Sequence, residues 1–526
     1  MTSTDQDLIS RLRHETLMAR GRVYEAGEPT PLEKLEIDRD TTLFLKREDL
    51  SPMHAYKWRG AYNCMAQLDP AVTRGVVAAS AGNHAQGVAI AAAKFAGKIK
   101  AKIFMPLNTP QMKQDAVKRL GGDAVSISLV GDRYDDAVAA AKEWAEAEGY
   151  VMVHAFDDLA VMGGQGTIAD EVVMSGEGPV DAAFLQIGGG GMAAGVAAWL
   201  KTYYPEITIY GVEGKDQASM AAAVEAGEPV TLPAVDVFCD GTAVARAGEN
   251  TFAICRDLID EFLTVSNEEV CAAMQFLWEQ QRVIPEPAGA MGLAGWLTHR
   301  DQLPGHKNIL CIVCGSNMDF AQLQRVVRAA RIGSSQRRYL RFEIEERPGT
   351  LFHLLHELRT KASIVEFQYG KVCEEKAWPV IGFDSREKSF SELVEGWKKR
   401  GLHFEDVTGE PDIEFRAIRY DPSLLHVPLF LQVEFSERAG ALAAFLEGAS
   451  KLSDFVYFNY QYSGERVGRA LIGFDFPDAD SRERFMEYAD GKEHATRSVK
   501  PLSEPQVRRV LGVGDCEPGS SPAVNS

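Results

Sequence analysis

The chain reads as an α/β protein in which a parallel sheet wrapped by helices is followed by two copies of a smaller α+β module. Three observations predict this. From about residue 40 to residue 320, short apolar or β-branched runs alternate with alanine-rich helical stretches. Four consecutive glycines, Gly188 to Gly191, stand between an apolar strand and a small-residue helix. Beyond residue 338 the chain repeats itself in one ungapped register.

The first strands are Gly75–Ala79, Lys102–Met105, Ala124–Ile127 and Val151–Val153, with Asp135–Glu148 as a separating helix. Their runs are continuously apolar rather than alternating, as strands covered on both faces require. Ala182–Ile187 is a further buried strand, and Met192–Leu200 the helix after it. Glycines at that junction let backbone N–H groups converge on an anion, and the helix N-terminus adds partial positive charge. A phosphate-bearing ligand is the natural guest. Gly189-x-Gly191-x-x-Ala194 fits a dinucleotide fingerprint with alanine at its third glycine. The strand Ile207–Val212 ends at Glu213, about where such folds place a ribose-binding acid. On these residues alone a nicotinamide or flavin site and a ligand-free turn both stay open.

Gly333–Arg338 is a short polar linker. After it, Arg347-x-Gly349-x-Leu351 returns as Arg438-x-Gly440-x-Leu442, an offset of 91 residues (438 − 347). The same offset carries Val365-x-Phe367-x-Tyr369 onto Val456-x-Phe458-x-Tyr460, and Ile381–Asp384 onto Ile472–Asp475. Each copy opens on an alternating strand (Tyr339–Glu345; Leu429–Phe435), then a turn, an amphipathic helix, two strands and a second helix. That order is ferredoxin-like, βαββαβ. The Gly-, Pro- and Ser-containing tail Gly512–Ser526 is expected to be disordered.

At 526 residues the chain exceeds a single compact core, so several domains are expected. Its net charge of −19 argues against nucleic acid and against anionic membrane surfaces, both of which are bound through excess lysine and arginine. No apolar run is long enough to span a bilayer, and the N-terminus lacks the apolar core of a signal peptide, so a cytoplasmic location is expected. Eight scattered cysteines form no disulfide framework. Cys311-x-x-Cys314 lies in a buried strand, where residues three apart face opposite sides, so no metal is expected there. Cys314, before a glycine turn, is the better placed of the two for a site.

Two further segments carry chemistry. Met53–Gly60, with Lys57 at its centre, follows the polar run Lys46-Arg47-Glu48-Asp49, where a lysine is ordinarily solvated. Ser80-Ala81-Gly82-Asn83-His84 joins a strand to the helix Ala85–Phe95, either as a plain N-cap or as a cradle for a carboxylate.

Together these residues resemble one enzyme group. Lys57 in its Ala-Tyr-Lys-x-Arg-Gly setting, the Ser80–His84 loop, the tetraglycine and Cys314-Gly315-Ser316-Asn317 occur in that group's order. Phe156-Asp157-Asp158 with Gly164-Gln165-Gly166-Thr167, and Glu286-Pro287-Ala288-Gly289-Ala290, extend the match. The chain is similar to the tryptophan-synthase-β-like (fold type II) pyridoxal-phosphate enzymes, and among them to the biosynthetic threonine deaminases. Its C-terminal pair resembles the two ACT-like regulatory domains of the long form. The resemblance implies a catalytic domain over 1–325, a linker over 326–338, ACT-like domains over 339–420 and 421–511, and the tail 512–526.

It also implies roles. Lys57 holds pyridoxal phosphate through its amine and later moves the α-proton. Gly188, Gly189, Gly190, Gly191 and Met192 bind the phosphate, Asn83 the ring hydroxyl, and Tyr56 packs near the ring. Ser80, Ala81, Gly82, Asn83 and His84 take the substrate carboxylate, and Cys314 faces the pyridine nitrogen. A neutral thiol there, unlike a carboxylate, leaves the ring less electron-hungry and favours prompt β-elimination. Isoleucine and valine are the implied effectors, Gly349 and Gly440 the implied effector positions, and a homotetramer the implied assembly.

Two positions depart from the group's pattern: Ala55, where serine is frequent, and the bulky Trp58 directly after the lysine. Both bear on substrate preference. The activity implied is deamination of L-threonine to 2-oxobutanoate and ammonia. A serine dehydratase, a racemase or a hydroxyaspartate lyase would share the catalytic motifs, but the duplicated region argues against them. A dinucleotide oxidoreductase leaves Lys57 and Ser80–His84 unused. A non-catalytic amino-acid sensor leaves the retained lysine unexplained.

Overall fold

In the computed structural model the chain divides into two compact units, Met1–Gly333 and Ser334–Ser526. The structure describes residues 3–95, 98–107, 109–131, 134–347, 350–351, 353–354, 363–384, 387–399, 401–410, 413, 418, 420–436, 449, 453–461, 467–489, 496–504 and 506–507. Gly349, Gly440 and the tail 512–526 lie outside the described residues. No helix among the described residues is long and apolar enough to cross a membrane.

The first unit opens with α1 (Ser3–Val23), a hairpin of β1 (Leu32–Glu36) and β2 (Thr42–Arg47), and α2 (Trp58–Met65). Then come β3 (Val76–Ala79), α3 (Asn83–Lys94), β4 (Ala101–Met105), α4 (Gln111–Gly121), β5 (Val125–Leu129), α5 (Tyr134–Glu148) and β6 (Val151–Met152). These strands pair in the order β5-β4-β3-β6, all parallel. The chain continues through α6 (Leu159–Met174), β7 (Ala182–Gln186), α7 (Gly191–Tyr203), β8 (Thr208–Gly214), α8 (Ser219–Ala226), α9 (Glu249–Leu258), β9 (Glu261–Val265), α10 (Asn267–Gln281), α11 (Pro287–His299), β10 (Asn308–Val313) and α12 (Leu323–Gly333). A second sheet has the order β1-β2-β10-β7-β8-β9, parallel except for its edge strand β1.

The one parallel sheet expected from the alternation is therefore two sheets. Apolar periodicity reports that strands exist but not which of them pair. The larger sheet separates two apolar cores. One core holds Phe44, Leu185, Val196, Leu310 and Cys314, and the other Leu43, Phe184, Leu277, Met291 and Cys311. Cys311 and Cys314 thus lie on opposite sides, as strand alternation requires. The segment expected as a linker from residue 326 is helical as far as Gly333. Val326 and Ala330, one turn apart, bury on the same face of α12. A Cβ on Gly333 would run into the Glu268 backbone, where α12 rests on α10.

The second unit contains β11 (Arg337–Glu345), β12 (Ser363–Gly370), β13 (Lys376–Ala377), β14 (Val380–Asp384), α13 (Glu387–Lys399) and β15 (His403–Asp406). Its second half contains β16 (Leu429–Ser436), β17 (Asp454–Gln461), β18 (Val467–Asp475), α14 (Ala479–Ala489) and β19 (Thr496–Pro501). The halves pair as β15-β11-β14-β12 and β19-β16-β18-β17, the same ferredoxin-like strand order twice. Antiparallel pairing of β12 with β17 joins them into one sheet.

The repeat read in the sequence is visible in that sheet's geometry. Gln368 pairs directly with Asn459, its own equivalent under the 91-residue offset, so a pseudo-twofold axis passes through the joint. A register shift between Ile364 and Glu366 recurs between the equivalent residues Phe455 and Tyr457. A Cβ on Gly382 would press on the Tyr339 ring at 2.7 Å, and one on Gly473 on the Phe430 ring at 2.7 Å. A single core of Phe342, Phe367, Trp397, Phe458, Ile472 and Phe485 runs under both halves.

Candidate active site

The chemistry-bearing segments of the first unit follow the carboxyl ends of β2, β3, β7 and β10, the rim where open α/β sheets bind ligands. Tyr56, Lys57, Ser80, Ala81, Gly82, Gly188, Gly241, Ser316 and Asn317 are half-buried there, amid segments that are otherwise largely buried.

Two helices begin at this rim without side-chain caps. Gly190 precedes α7 in the left-handed region, at φ +91°, and Gly82 precedes α3; neither offers a capping oxygen. Each N-terminus presents N–H groups and a partial positive charge to whatever lies above it. Around the tetraglycine the packing excludes side chains. A Cβ on Gly188 would meet the Thr242 backbone at 2.8 Å, one on Gly189 the Phe156 ring, and one on Gly190 the Met220 methyl at 2.6 Å. The Thr251 hydroxyl donates to Gly189 O at 2.7 Å and fixes the loop. Above Gly82 there is open space within 4 Å of a Cβ position. Met192 turns its side chain into the core, which leaves its backbone N–H as its contribution to the α7 terminus.

Lys57 is the N-cap residue of α2, and its Nζ lies 3.4 Å from Gly241 O. Gly241 and Thr242 therefore join the lysine to the tetraglycine. Gly87 of α3 packs on the Lys57 backbone, where a Cβ would come to 3.0 Å. Beneath the lysine the polar run 46–49 is buried. Lys46, Glu48 and Arg59 are fully buried and share one network with Glu171. Arg59 donates to Glu48 at 2.8 and 2.9 Å and to Glu171 at 2.6 Å. Two cations facing two carboxylates tie α2 to β2 and α6, so that neither sign is buried unpaired. Gly60 and Gly164 complete the seat: a Cβ on Gly164 would come within 2.7 Å of the Gly60 Cα. Arg59, Gly60 and Gly164-Gln165-Gly166-Thr167 are thus packing elements that hold the lysine in place.

The two departures resolve likewise. Trp58 is 1% exposed and stacks over Gly27 in the core, away from the rim. Ala55 is fully buried, its backbone bonded in both directions to the Ser51 hydroxyl. Asp157 and Asp158 also prove architectural. Asp157 accepts from three N–H groups at the start of α9, and Asp158 caps α6. Glu213, the candidate ribose acid, is fully buried and accepts from Met220 N and Ala221 N at 2.9 and 2.8 Å. Committed to the first turn of α8, it is unavailable to a dinucleotide.

Asn83, Asn317 and Glu286 form a second network. Asn83 Nδ2 donates to Glu286 Oε1 at 2.7 Å, and Asn317 N donates to Glu286 Oε2 at 3.1 Å. Asn317 Nδ2 donates to Asn83 Oδ1 at 2.9 Å and to Met53 O at 2.8 Å. Burial, reinforced by Asp240, pushes the Glu286 carboxyl up to about 7 against the opposing pull of Lys57. Burial also pushes the Cys314 thiol up to about 12, so it stays neutral, its S–H 3.6 Å from Ala288 O. The Tyr56 hydroxyl is raised by burial and by neighbouring Cys314 and Glu286. Burial lowers His84 to about 3, and its ring Nε2 faces Val153 O at 2.9 Å. His84 is therefore neutral and turned away, leaving its backbone N–H to the site.

Glu286, Asn317 and Gly241 are the rim residues that sequence reasoning did not assign. A usable signal existed for one of them. Glu286 is followed by proline at the first position of a helix, which marks it as an N-cap acid. Its carboxylate makes no capping bond, and an acid at an N-cap that does not cap is turned toward something else.

Comparison with known proteins agrees with this geometry. Residues 23–315 match the family described as pyridoxal-phosphate dependent enzyme. Residues 328–415 and 426–503 match the C-terminal regulatory domain of threonine dehydratase. The chain is 37% identical over 494 residues to the L-threonine dehydratase biosynthetic IlvA of Burkholderia multivorans, covering 91% of this chain and 96% of that protein. The processed form of threonine deaminase isoform 2 from Solanum lycopersicum superposes with a TM-score of 0.58 at 39% identity, covering 62% of this chain and 89% of that one. Maize serine racemase superposes with a TM-score of 0.56 at 30% identity, covering 61% and 98%. Lysine, glycine cradle and duplicated C-terminal half thus fall under one description: the chain belongs to the pyridoxal-phosphate-dependent enzymes of fold type II, in the branch whose catalytic unit is followed by threonine dehydratase regulatory domains.

Proposed function

We propose that the protein converts L-threonine to 2-oxobutanoate and ammonia, as the first step of isoleucine biosynthesis, with pyridoxal phosphate as cofactor. The observation that carries this is Lys57 Nζ at 3.4 Å from Gly241 O, beside the Thr242 that packs on the tetraglycine, in a chain that also carries the duplicated regulatory half. The residues present fit the cofactor. A phosphate suits the α7 terminus, where Gly188–Gly191 leave no room for side chains. A primary amine, an amide and a neutral thiol stand ready for its aldehyde, hydroxyl and ring nitrogen.

The N–H groups of Gly188–Met192 would hold the phosphate, Lys57 Nζ the aldehyde carbon, Asn83 the ring hydroxyl, and Cys314 the ring nitrogen, with Tyr56 beside the ring. The substrate carboxylate would sit on Ser80–His84 at the α3 terminus, which orients the α-hydrogen. Bound pyridoxal phosphate supplies an electron sink for the charge left when that hydrogen leaves as a proton. Lys57 Nζ takes the α-proton. The β-hydroxyl leaves with a proton as water, and the enamine so formed, once released, hydrolyses to the 2-oxo acid and ammonia. His84, held neutral and turned aside, does not compete for these protons.

The C-terminal halves, 339–420 and 421–511, are read as two ACT-like domains that sense isoleucine as inhibitor and valine as its antagonist, with Gly349 and Gly440 at their effector sites. A homotetramer in the cytoplasm completes the reading. Regulation of this kind needs ~1–3 kcal/mol of coupling between sites. The test is release of 2-oxobutanoate from L-threonine by purified protein, with and without isoleucine. Turnover suppressed by isoleucine supports both assignments, and turnover indifferent to isoleucine removes the effector assignment alone. No turnover in protein carrying the cofactor refutes the substrate.

A further inference from the structure

We propose that Glu286 is a positioning residue: its carboxylate locks the Asn83 side-chain amide so that an N–H, not the carbonyl oxygen, is left to face the cofactor ring. The proposal rests on the pyridoxal-phosphate reading above and adds to it a residue and a pH dependence.

The hydrogen bonds fix the amide's sense. Asn83 Nδ2 has two hydrogens, and one goes to Glu286 Oε1. Asn83 Oδ1 is taken by Asn317 Nδ2, whose other hydrogen goes to Met53 O. Asn317 itself is tied down by its own N–H, which donates to Glu286 Oε2. Flipping the Asn83 amide would set its oxygen against a carboxylate and its NH2 against another NH2, so the orientation is determined by its partners. One N–H of Asn83 remains, and it can only donate. A ring oxygen facing it is thereby held as an acceptor, which favours its deprotonated form.

This arrangement requires both Glu286 oxygens to accept. Protonating either one removes the charge that strengthens both bonds and puts an O–H beside an N–H donor, so the lock on Asn83 weakens. The titratable groups facing Glu286 are Asp240, Lys57, Tyr56, Cys239 and Cys314. Burial keeps the tyrosine and both thiols neutral near neutrality, so Asp240 and Lys57 are the charges that tune it. With its carboxyl raised to about 7, the locking form holds above that pH and is lost as pH falls through it. Asp240 is in turn paired at 2.5 Å with Lys113, on the surface.

The holoenzyme's visible absorption band, titrated through neutrality, tests this. The wild type should show a transition with a midpoint above the ordinary carboxylate range. Glu286→Gln should abolish that transition and weaken cofactor binding measured by dialysis. Asp240→Asn should move the midpoint down, and Lys113→Gln, which leaves Asp240 unpaired, should move it up. Glu286→Gln retaining the wild-type midpoint overturns the proposal, as does a midpoint indifferent to both surface substitutions. If Glu286→Gln does not fold, the opposed shifts of the surface pair decide. A wild type with no visible band would instead refute the cofactor reading, a different failure from a band that ignores Glu286.

Discussion

Replacing Arg59 with methionine tests the buried charge network beneath the lysine. Arg59 is fully buried and makes two bonds to Glu48, at 2.8 and 2.9 Å, and one to Glu171 at 2.6 Å. Methionine keeps most of the apolar stem and removes the charge. Lys46 alone then faces two carboxylates, and one negative charge is left uncompensated in a buried site. Breaking a buried pair from one side costs ~3–5 kcal/mol, a large fraction of the ~5–15 kcal/mol that holds a domain together. At ~2–4 °C per kcal/mol, the thermal midpoint should fall by roughly 6–20 °C. Urea unfolding followed by far-UV circular dichroism should show the same loss. Adding Glu171→Gln should return part of it, because the charge imbalance is gone even though the bonds are not. A loss below ~1 kcal/mol, the scale of a surface pair, would mean that the network is solvated or dispensable, and that Arg59 does not hold the lysine's helix.

Further outcomes follow from the same geometry. Burial raises the Glu48 carboxyl, but Arg59 and Lys46 outweigh it and hold the group well below its ordinary value of 4.5. The stability it contributes is present above that value and lost as pH falls beneath it, so acid unfolding of the wild type should be steeper there than that of Glu48→Gln. Lys57→Ala should keep the fold and the thermal midpoint while turnover drops by at least about a hundredfold; unchanged turnover would refute its assignment. Gly190→Ala forces a side chain to φ +91° and its Cβ to 2.6 Å from the Met220 methyl. The backbone strain alone is ~1–2 kcal/mol, so cofactor affinity should fall about tenfold or more in a direct binding titration.

The sequence made the strands, the glycine turn before α7 and the duplicated half legible, because each leaves a local signature: apolar runs, consecutive glycines, a fixed offset. The parts it hid are those that depend on partners distant along the chain. Nothing local in Lys46 and Glu48 shows that Arg59 and Glu171 are brought against them across α2 and α6. Trp58 looked like an intruder in the pocket, yet Gly27 is the gap into which its ring fits. Glu213 sat at the spacing of a ribose acid, and only the fold shows it spent on the first turn of α8. Glu286 lay inside a motif already noted, but its role depends on Asn83, 203 residues away. Likewise, a polar linker signal cannot be told from the end of an amphipathic helix such as α12 until the surface that buries Val326 and Ala330 is known.

The ladder between β12 and β17 has the form of an isologous contact contained within one chain. Each half offers the same edge to the other, and Gln368 meets its own counterpart Asn459 at the centre. Two separate copies of a single module could form that joint unaltered, as a self-complementary dimer in which every contact occurs twice. Covalent fusion removes the concentration dependence of such a dimer and frees the halves to diverge. The exchange of Tyr339 and Glu366 in one half for Phe430 and Tyr457 at the equivalent places in the other is divergence of that kind. A substitution in the β12–β17 ladder therefore acts on both halves at once, whereas one in a strand away from the joint acts on a single half first.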